Sequence, residues 1–400
     1  MKPERERIYA DLERKVGRTP LYEFELPNGS KIFAKAEYKN PTGSHYDRVY
    51  VPLLRALEEE GKIQPAENPL IETTSGNAGA SFAWVCKRLG YECTVIVPPE
   101  LPKARVDDIR NHGGHIRFSE RGKYVRGAAE ELRKVLKIEN KERKAKGLPP
   151  FYTPNHSQDI RSTGFLERIT EEVLDELRDA SLDYAVLAVG NGATILGPGR
   201  LLKEKSPKTK IVAWEPFASG KAFDIRHPGA YESMFRIKPG KLKHTMYGTG
   251  VANVHFPMLE EALRARSGNK TVDEVRLVSE PTTFRDYYKK IGIFGKIFGA
   301  EVEEACVMTN PFRALSRKSE HILQQKNEFE SQFVDWQDTQ RDLHSRGFNV
   351  GKSSAGSFAV AEEIAKNENQ PKNFFVIFYD PHWKYAEGNL VQKIMARLVA

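Results

Sequence analysis

The sequence predicts an α/β protein built on a mostly parallel β-sheet that is covered by helices on both faces. Strand and helix patterns alternate through the first two-thirds of the 400 residues, and the alternation returns after residue 351. Three Gly- or Ser-rich stretches stand where predicted strands give way to helices. Because parallel neighbours need a crossover between them, this order favours a parallel sheet over a set of hairpins.

Short runs bounded by turn residues predict the strands. The run 31–37 alternates apolar and polar residues, which is typical of a half-buried strand. Most of the later runs are apolar, as expected for strands that are covered on both faces. They lie at 69–73, 93–97, 115–118, 184–189, 211–215 and 374–378.

Apolar residues at helical spacing predict the intervening helices. Ser44 is the expected N-cap of the first one, with Asp47 at the reciprocal position of a capping box and Gly61 at its end. Further helices are predicted at 76–89, around 102–111, from the turn at 190–194 to residue 205, and at 357–366. From about 257 to 342 the alternation breaks, and the pattern is charged, aromatic and largely helical.

Composition limits the class of protein. Apolar residues make up 40% and charged residues 29% of the chain, which is ordinary for a globular protein. The three cysteines, Cys86, Cys93 and Cys306, lack metal-ligand spacing, and their odd number argues against a disulfide framework. No apolar signal core or membrane-spanning run is evident, so we expect a cytoplasmic protein. We expect no metal site.

The chain is basic, with a net charge of +8. Basic residues concentrate at 134–146 and at 236–243, and such clusters can attract a polyanion. Aromatic residues that could stack on bases are not interleaved there. We therefore interpret both segments as solvated surface and expect no nucleic-acid partner.

The first Gly- and Ser-rich stretch, 73–79, reads Thr-Thr-Ser-Gly-Asn-Ala-Gly. Its glycines expose backbone N–H groups, its hydroxyls add donors, and a helix N-terminus follows. Together these features suit a carboxylate. A well-capped helix without a ligand is the equal alternative.

The second stretch, 190–194, reads Gly-Asn-Gly-Ala-Thr, and the third, 353–357, reads Ser-Ser-Ala-Gly-Ser. Successive backbone donors at a helix start suit a phosphate, although 190–194 lacks the lysine of a nucleotide-binding P-loop. A serine hydroxyl in the third stretch could hydrogen-bond a ring nitrogen. The alternatives are a tight strand-to-helix turn for the second stretch and an ordinary N-cap for the third.

A fourth stretch, 40–49, reads Asn-Pro-Thr-Gly-Ser-His-Tyr-Asp-Arg-Val. With the three other stretches in this order, it resembles the fold-type II enzymes that use pyridoxal phosphate (PLP), in particular cysteine synthase, cystathionine β-synthase and the tryptophan synthase β-like proteins. The resemblance covers about 21–250 and 346–385. It implies a two-lobed α/β architecture, PLP as cofactor, a small amino-acid ligand and a homodimer.

The resemblance also implies a division of the chain. The larger, PLP-binding lobe is expected from 1–45, 149–258 and 341–400, and the smaller lobe from 46–148. The remaining segment, 259–340, exceeds ordinary loop lengths and is expected to be a helical insert. It could be a lid over the site or a dimer interface, and an appended helical layer is the plainer interpretation.

Site roles follow from the resemblance by position. Asn77 would bond the phenolic oxygen of the cofactor. Ser354 would face its pyridine nitrogen, and a neutral serine there favours elimination and replacement at Cβ. The phosphate would be held by Gly190, Asn191, Gly192, Ala193 and Thr194. The substrate carboxylate would be held by Thr74, Ser75, Gly76 and Asn77.

The chain departs from the family pattern at Tyr46, which stands where the Schiff-base lysine is expected. A phenol cannot condense with an aldehyde. Tyr46 could instead act as a general base, with its phenol pKa lowered by cationic neighbours, or it could pack in an emptied pocket. PLP would then be held non-covalently or through another lysine, for which Lys35 and Lys39 are the nearest candidates in sequence.

Two functions remain open. The protein could be a lyase or transferase of the cysteine synthase type, with a mechanism altered by the missing lysine. It could also be a pseudoenzyme that binds PLP, an amino acid or another phosphorylated ligand.

The chain also departs from the family pattern in smaller ways. These are Ala78, where a threonine is common, and the lack of a glutamine ahead of Asn155.

Overall fold

The computed structural model describes residues 2–74, 76–178, 180–250, 254–264, 271–280, 283 and 333–385. Within these residues the strands form a seven-stranded sheet, in the order β1-β2-β10-β6-β7-β8-β9, and a three-stranded sheet, in the order β3-β4-β5. The strands are β1 (Leu21–Glu25), β2 (Lys31–Lys35), β3 (Leu70–Thr73), β4 (Cys93–Val97), β5 (His115–Phe118), β6 (Tyr184–Ala188), β7 (Lys210–Pro216), β8 (Glu274–Ser279), β9 (Phe333–Asp335) and β10 (Asn373–Ile377).

Both sheets are parallel apart from one hairpin. β1 and β2 pair antiparallel, and Leu21 lies opposite Lys35. β2, β10, β6, β7, β8 and β9 then pair in parallel, as do β3, β4 and β5. The predicted α/β class with a parallel sheet is therefore confirmed.

Helices connect the parallel strands. They are α1 (Pro3–Lys15), α2 (Asp47–Glu59), α3 (Asn77–Leu89), α4 (Lys103–Asn111), α5 (Tyr124–Lys134), α6 (Asn140–Ala145), α7 (Arg161–Leu177), α8 (Ala193–Lys205), α9 (Lys221–Arg226), α10 (Ala230–Phe235), α11 (Pro257–Arg264), α12 (Trp336–Ser345) and α13 (Lys352–Lys366). A π-helical turn, Val135–Glu139, joins α5 to α6, and short 3₁₀ turns lie at Glu37–Lys39 and His382–Tyr385. Within the described ranges, no helix is both long and apolar enough to cross a membrane.

Small residues let α13 pack closely against the large sheet. α13 packs against β6 and β10. A Cβ on Gly356 would lie 2.6 Å from the Cη2 atom of Trp214, and the Trp214 indole donates to the Ser357 hydroxyl at 2.8 Å. Only small side chains let this helix approach the buried Trp214.

Two local predictions are corrected by the structure. The segment 353–357 is the first part of α13 rather than a loop before it, because α13 begins at Lys352. Ser44 does not cap α2, which begins at Asp47 with Tyr46 at the N-cap position. The Asp47 carboxylate instead accepts hydrogen bonds from the backbone N–H and the hydroxyl of Thr42, at 2.8 and 2.6 Å.

The segment 259–340 is described only in part. Its described residues include β8 and part of α11, and β9 and the start of α12 fall near its end. β8 and β9 extend the large sheet beyond β7, so the segment is not purely helical. The aromatic residues predicted for a lid or interface between 284 and 329 lie outside the described residues.

Candidate active site

Polar contacts to α3, to the 3₁₀ turn at Glu37–Lys39 and to α7 hold the loop that carries Tyr46. The Asp47 carboxylate binds Thr42 on one side and the Ser81 hydroxyl of α3 on the other. Arg48 forms a buried ion pair with Glu37 at 2.7 Å and a second with Glu172 at 2.6 Å. These contacts fix the backbone at residues 45 and 46 and therefore fix the direction of both side chains.

Tyr46 is half-buried among aromatic rings. Its ring centroid lies 4.4 Å from that of His45 and 5.4 Å, edge to face, from that of His156. Burial raises the pKa of the Tyr46 phenol to about 12, although Arg105 acts in the opposite direction. The lowered phenol pKa expected from the sequence is thus wrong, because loss of solvation outweighs the nearby cation. At neutral pH the phenol is protonated and can donate a hydrogen bond.

His45 links this loop to the segment 190–194. Its Nε2 atom lies 3.3 Å from the Thr194 hydroxyl, and its ring centroid lies 5.4 Å from that of Tyr379. The side chain is buried, and its Nδ1 atom has no hydrogen-bond partner among the described residues. Burial lowers the pKa of His45 to about 4, so the imidazole is neutral at physiological pH.

The segment 190–194 has the geometry of an anion cradle, here called the phosphate cup. Gly192 has a φ of +96°, and a Cβ there would lie 2.3 Å from the backbone nitrogen of Leu259. A Cβ on Gly190 would lie 3.2 Å from the carbonyl oxygen of Gly248. The Asn191 side chain accepts a hydrogen bond from the Ala193 N–H at 3.0 Å. The cup therefore requires a glycine at residue 192 and leaves little space at residue 190, and it ends at the N-terminus of α8.

The predicted carboxylate loop lies at the N-terminus of α3. The Thr74 hydroxyl accepts hydrogen bonds from the N–H groups of Gly76 and Gly79, at 3.0 and 3.2 Å. Gly76 has a φ of +129°, and a Cβ there would lie 2.7 Å from the Arg105 side chain. Ser75 lies outside the described residues. The Thr74 hydroxyl thus satisfies two N–H groups at the start of α3, and Gly76, the N-cap residue, gives Arg105 room beside the loop.

Asn77 lies at a junction between the two sheets. Its amide nitrogen donates to Asp380 at 2.7 Å, while its amide oxygen is buried without a partner among the described residues. Arg105, on α4 beside the small sheet, also binds Asp380 at 2.9 Å, and both charged side chains are almost fully buried. The Tyr385 hydroxyl donates to the same carboxylate at 3.0 Å. Asp380, which follows β10, therefore connects the carboxylate loop to the large sheet.

Ser354 is fully buried near the start of α13. Its hydroxyl accepts a hydrogen bond from the Tyr379 N–H at 2.9 Å. The Tyr379 hydroxyl in turn accepts one from the Ala188 N–H at 2.9 Å, and its ring meets His45. Ser354 thus positions the residue whose ring lies edge to face against His45, in the loop of Tyr46.

The predicted site residues from four chain segments are joined by these contacts. Tyr46 contacts His45, which contacts Thr194 of the phosphate cup. His45 also contacts Tyr379, which binds Ser354, and the next residue, Asp380, binds Asn77. The sequence did not single out Arg105, His156, Tyr379 and Asp380, and it indicated His45 only as a neighbour of Tyr46. Only Tyr379 and Asp380 carried a local signal, since they directly follow a predicted parallel strand.

Neither lysine considered as a substitute is presented to the site. Lys35 is fully buried, and its ammonium group is held by Glu172 at 3.0 Å, by Glu176 and by the Thr19 carbonyl oxygen at 2.6 Å. Lys39 is exposed, with its ammonium nitrogen 4.9 Å from the centroid of the Tyr38 ring. A covalent link through Lys35 would have to break two ion pairs.

Comparison with known proteins places the chain in a family. The family model described as "Pyridoxal-phosphate dependent enzyme" matches residues 12–314. This chain belongs to that family. A cysteine synthase of Staphylococcus aureus (strain N315) is 29% identical over 208 residues, which are 51% of this chain and 64% of the relative. The match thus spans just under two-thirds of that relative's length.

Solved structures share the fold. An O-acetylserine dependent cystathionine beta-synthase from Helicobacter pylori has a TM-score of 0.67 at 21% identity, covering 95% of this chain and 97% of that one. A hydrogen sulfide-producing enzyme from Fusobacterium nucleatum has a TM-score of 0.67 at 19% identity, covering 94% and 99%. The predicted fold-type II architecture is therefore confirmed.

The family assigns PLP as cofactor, and the residues present fit it at one end of the site. The phosphate cup has the glycine geometry of an anion site. The buried Asn77 oxygen and His45 Nδ1 are polar atoms without partners among the described residues, as expected beside a polar ligand. The residues do not fit a Schiff base at position 46, because Tyr46 has no amine.

Proposed function

We propose that this protein binds PLP without a covalent link through residue 46 and acts on a small amino acid by β-elimination or β-replacement. The observation that supports the proposal is the series of contacts that links Asn77, the phosphate cup and the Tyr379–Ser354 pair to the loop of Tyr46. The relationship to cysteine synthase supports the reaction class.

Each part of the site has a distinct task in this proposal. The cup would hold the phosphate through backbone N–H groups and the Thr194 hydroxyl. The start of α3, with Thr74 and Asn77, would hold the amino-acid carboxylate. When bound, PLP supplies an electron sink for the bonds at the Cα atom. The buried Arg105–Asp380 pair would keep the two sheets together around the ligand.

The pKa of the Tyr46 phenol determines whether this residue can act as an acid or as a base. With the pKa of its phenol at about 12, it is protonated at neutral pH and can donate a proton or a hydrogen bond to a developing negative charge. Its action as a general base stays a prediction, and it would need a bound ligand that lowers this pKa. Rates that rise with pH well above neutrality would support Tyr46 as the base.

A pseudoenzyme is the second candidate, and the same residue favours it. A site without an amine at position 46, and with a phenol that burial keeps protonated, can bind a ligand without turning it over. In this case the pocket would hold PLP, an amino acid or another phosphorylated ligand for a binding or regulatory role.

Binding and turnover measured on the same protein separate the candidates. We expect calorimetry to detect PLP, and borohydride reduction followed by mass spectrometry to leave the tryptic peptide of Tyr46 unmodified. Release of pyruvate from O-acetylserine in the presence of PLP would support the enzyme. Binding without pyruvate or sulfide-dependent product would favour the pseudoenzyme, and no PLP binding at millimolar concentration would contradict the proposal.

The proposal also includes a homodimer in a reducing, cytoplasmic environment. Cys86 and Cys93 are free and buried, which is consistent with such an environment. Light scattering coupled to size-exclusion chromatography tests the dimer, and a monomeric mass would contradict it.

A further inference from the structure

From its contact with Thr194, we infer that His45 is a positioning residue for the phosphate of the bound ligand and replaces part of the anchorage that the missing lysine would have supplied. The inference rests on the proposed function, because it names how that PLP site holds its ligand. His45 thereby has a role in ligand binding that connects the loop of Tyr46 to the phosphate cup.

His45 contacts the phosphate cup at the end where α8 begins. Its Nε2 atom lies 3.3 Å from the Oγ1 atom of Thr194, a residue 149 positions away in the chain. Thr194 is the second residue of α8, where N–H groups at the helix start point toward an anion. The ring cannot swing freely, since Tyr46 and Tyr379 pack against it.

A neutral imidazole suits this task. It carries one N–H, and with the proton on Nε2 it donates to the Thr194 oxygen. The hydroxyl hydrogen of Thr194 then remains available to a phosphate oxygen. Burial keeps the pKa of His45 low, and of the charged groups that act on it, Glu37 opposes this effect while Arg48, His156 and Lys384 reinforce it.

A purely structural role for His45 is the competing explanation. A ring that only filled space would leave both nitrogens unpaired or bonded within its own loop. Here one nitrogen reaches a residue of the cup, and the other, Nδ1, is buried without a partner among the described residues. A buried Nδ1 atom without a partner is costly unless a ligand supplies one.

Substitutions at position 45 can separate these roles. His45→Gln places an amide N–H near the position of Nε2, whereas His45→Asn places its amide near the position of Nδ1. The probes are pyridoxine 5′-phosphate and pyridoxine, which lack the aldehyde and cannot link to surface lysines. Their affinities are measured by calorimetry, and thermal unfolding checks that each variant folds.

The wild type should prefer pyridoxine 5′-phosphate to pyridoxine. His45→Asn should reduce that preference about 10- to 100-fold, the range of a hydrogen bond that serves a charged group, whereas His45→Gln should keep most of it. In a Thr194→Val background, His45→Asn should have little further effect, because both substitutions break the same contact.

Several outcomes would overturn the inference while leaving the proposed function intact. They are an unchanged preference in His45→Asn, an equal loss of affinity for both probes, an equal loss in His45→Gln and His45→Asn, or additive effects with Thr194→Val. A wild type that binds neither the phosphate probe nor PLP would instead remove the proposed function itself, and the inference with it.

Discussion

The two ends of the candidate site differ in what they depend on. At the phosphate cup, function depends on the backbone, since neighbouring backbones leave no room for a side chain at Gly192 and little at Gly190. At the opposite end it depends on a single side chain, and that side chain is Tyr46. Ligand binding and covalent chemistry therefore depend on separate segments of this fold. A chain can keep the phosphate cup although it has no lysine at position 46.

His45 connects the two ends. It shares the loop of Tyr46 and contacts Thr194 of the cup. Substitutions should therefore change the free energy of unfolding most at the backbone end, less at His45 and least at the side-chain end.

The largest effect is expected from Gly192→Ala. The new Cβ would lie 2.3 Å from the backbone nitrogen of Leu259, and the residue would keep a φ of +96°. Backbone strain and overpacking together should lower the free energy of unfolding by about 3–5 kcal/mol. Chemical denaturation measures this change, and calorimetry should show that binding of pyridoxine 5′-phosphate is lost.

Gly147→Ala is the matched control for that variant. Gly147 also has a positive φ, of +69°, but a Cβ there meets nothing within 4 Å. It should lower the free energy of unfolding by about 1 kcal/mol and leave ligand binding unchanged. Equal effects of the two substitutions would show that the approach of Leu259 does not shape the cup.

The cup could be predicted from the sequence because its determinants are local. Glycines between a strand and a helix specify it within a few residues. Arg105 and Asp380, by contrast, pair across 275 positions, and no periodicity brings them together. Contacts of this kind follow from how the two sheets pack, which one sequence does not reveal.

The segment 353–357 shows where local reasoning fails. Its serines and glycine predicted a loop, since these residues have poor helix propensity. They are helical in the structure because small side chains let α13 reach Trp214. Tertiary packing thus overrode propensity, and Ser354 became a partner of the Tyr379 backbone rather than a loop residue.

The pH dependence of the free energy of unfolding tests whether burial keeps His45 neutral. The pKa of His45 is about 4 in the folded protein, against an ordinary value of 6.5. As pH falls, the unfolded chain takes up the proton first, so stability is fully present above about pH 6.5 and is lost between pH 6.5 and 4. The contribution is about 3 kcal/mol, from 1.36 kcal/mol for each unit of pKa.

His45→Gln should remove this contribution. The free energy of unfolding of the variant, measured by denaturation at pH 7 and pH 4, should fall by about 3 kcal/mol less than that of the wild type. Other histidines whose pKa is lowered by partial burial, such as His382, affect both proteins alike. Parallel pH profiles of variant and wild type would mean that His45 is not held neutral by burial.

The smallest change in stability, and the most informative one for function, is expected from Tyr46→Lys. The substitution removes ring contacts with His45 and His156 and introduces a flexible amine, at a cost of about 1 kcal/mol. If the rest of the site is intact, the amine should react with the PLP aldehyde. A new visible absorbance and a cofactor mass retained at residue 46 after borohydride reduction would show this.

Tyr46→Phe is the control, since it keeps the ring and adds no amine. It should bind PLP without any mass retained at residue 46. Pyruvate release from O-acetylserine by Tyr46→Lys alone would show that the lysine is the one missing part of an otherwise competent site. Should Tyr46→Lys fold, bind PLP and still form no covalent link, the end of the site around residue 46 has been rebuilt for another ligand. The pseudoenzyme would then be the better description, because the protein would bind its ligand without the means to react with it.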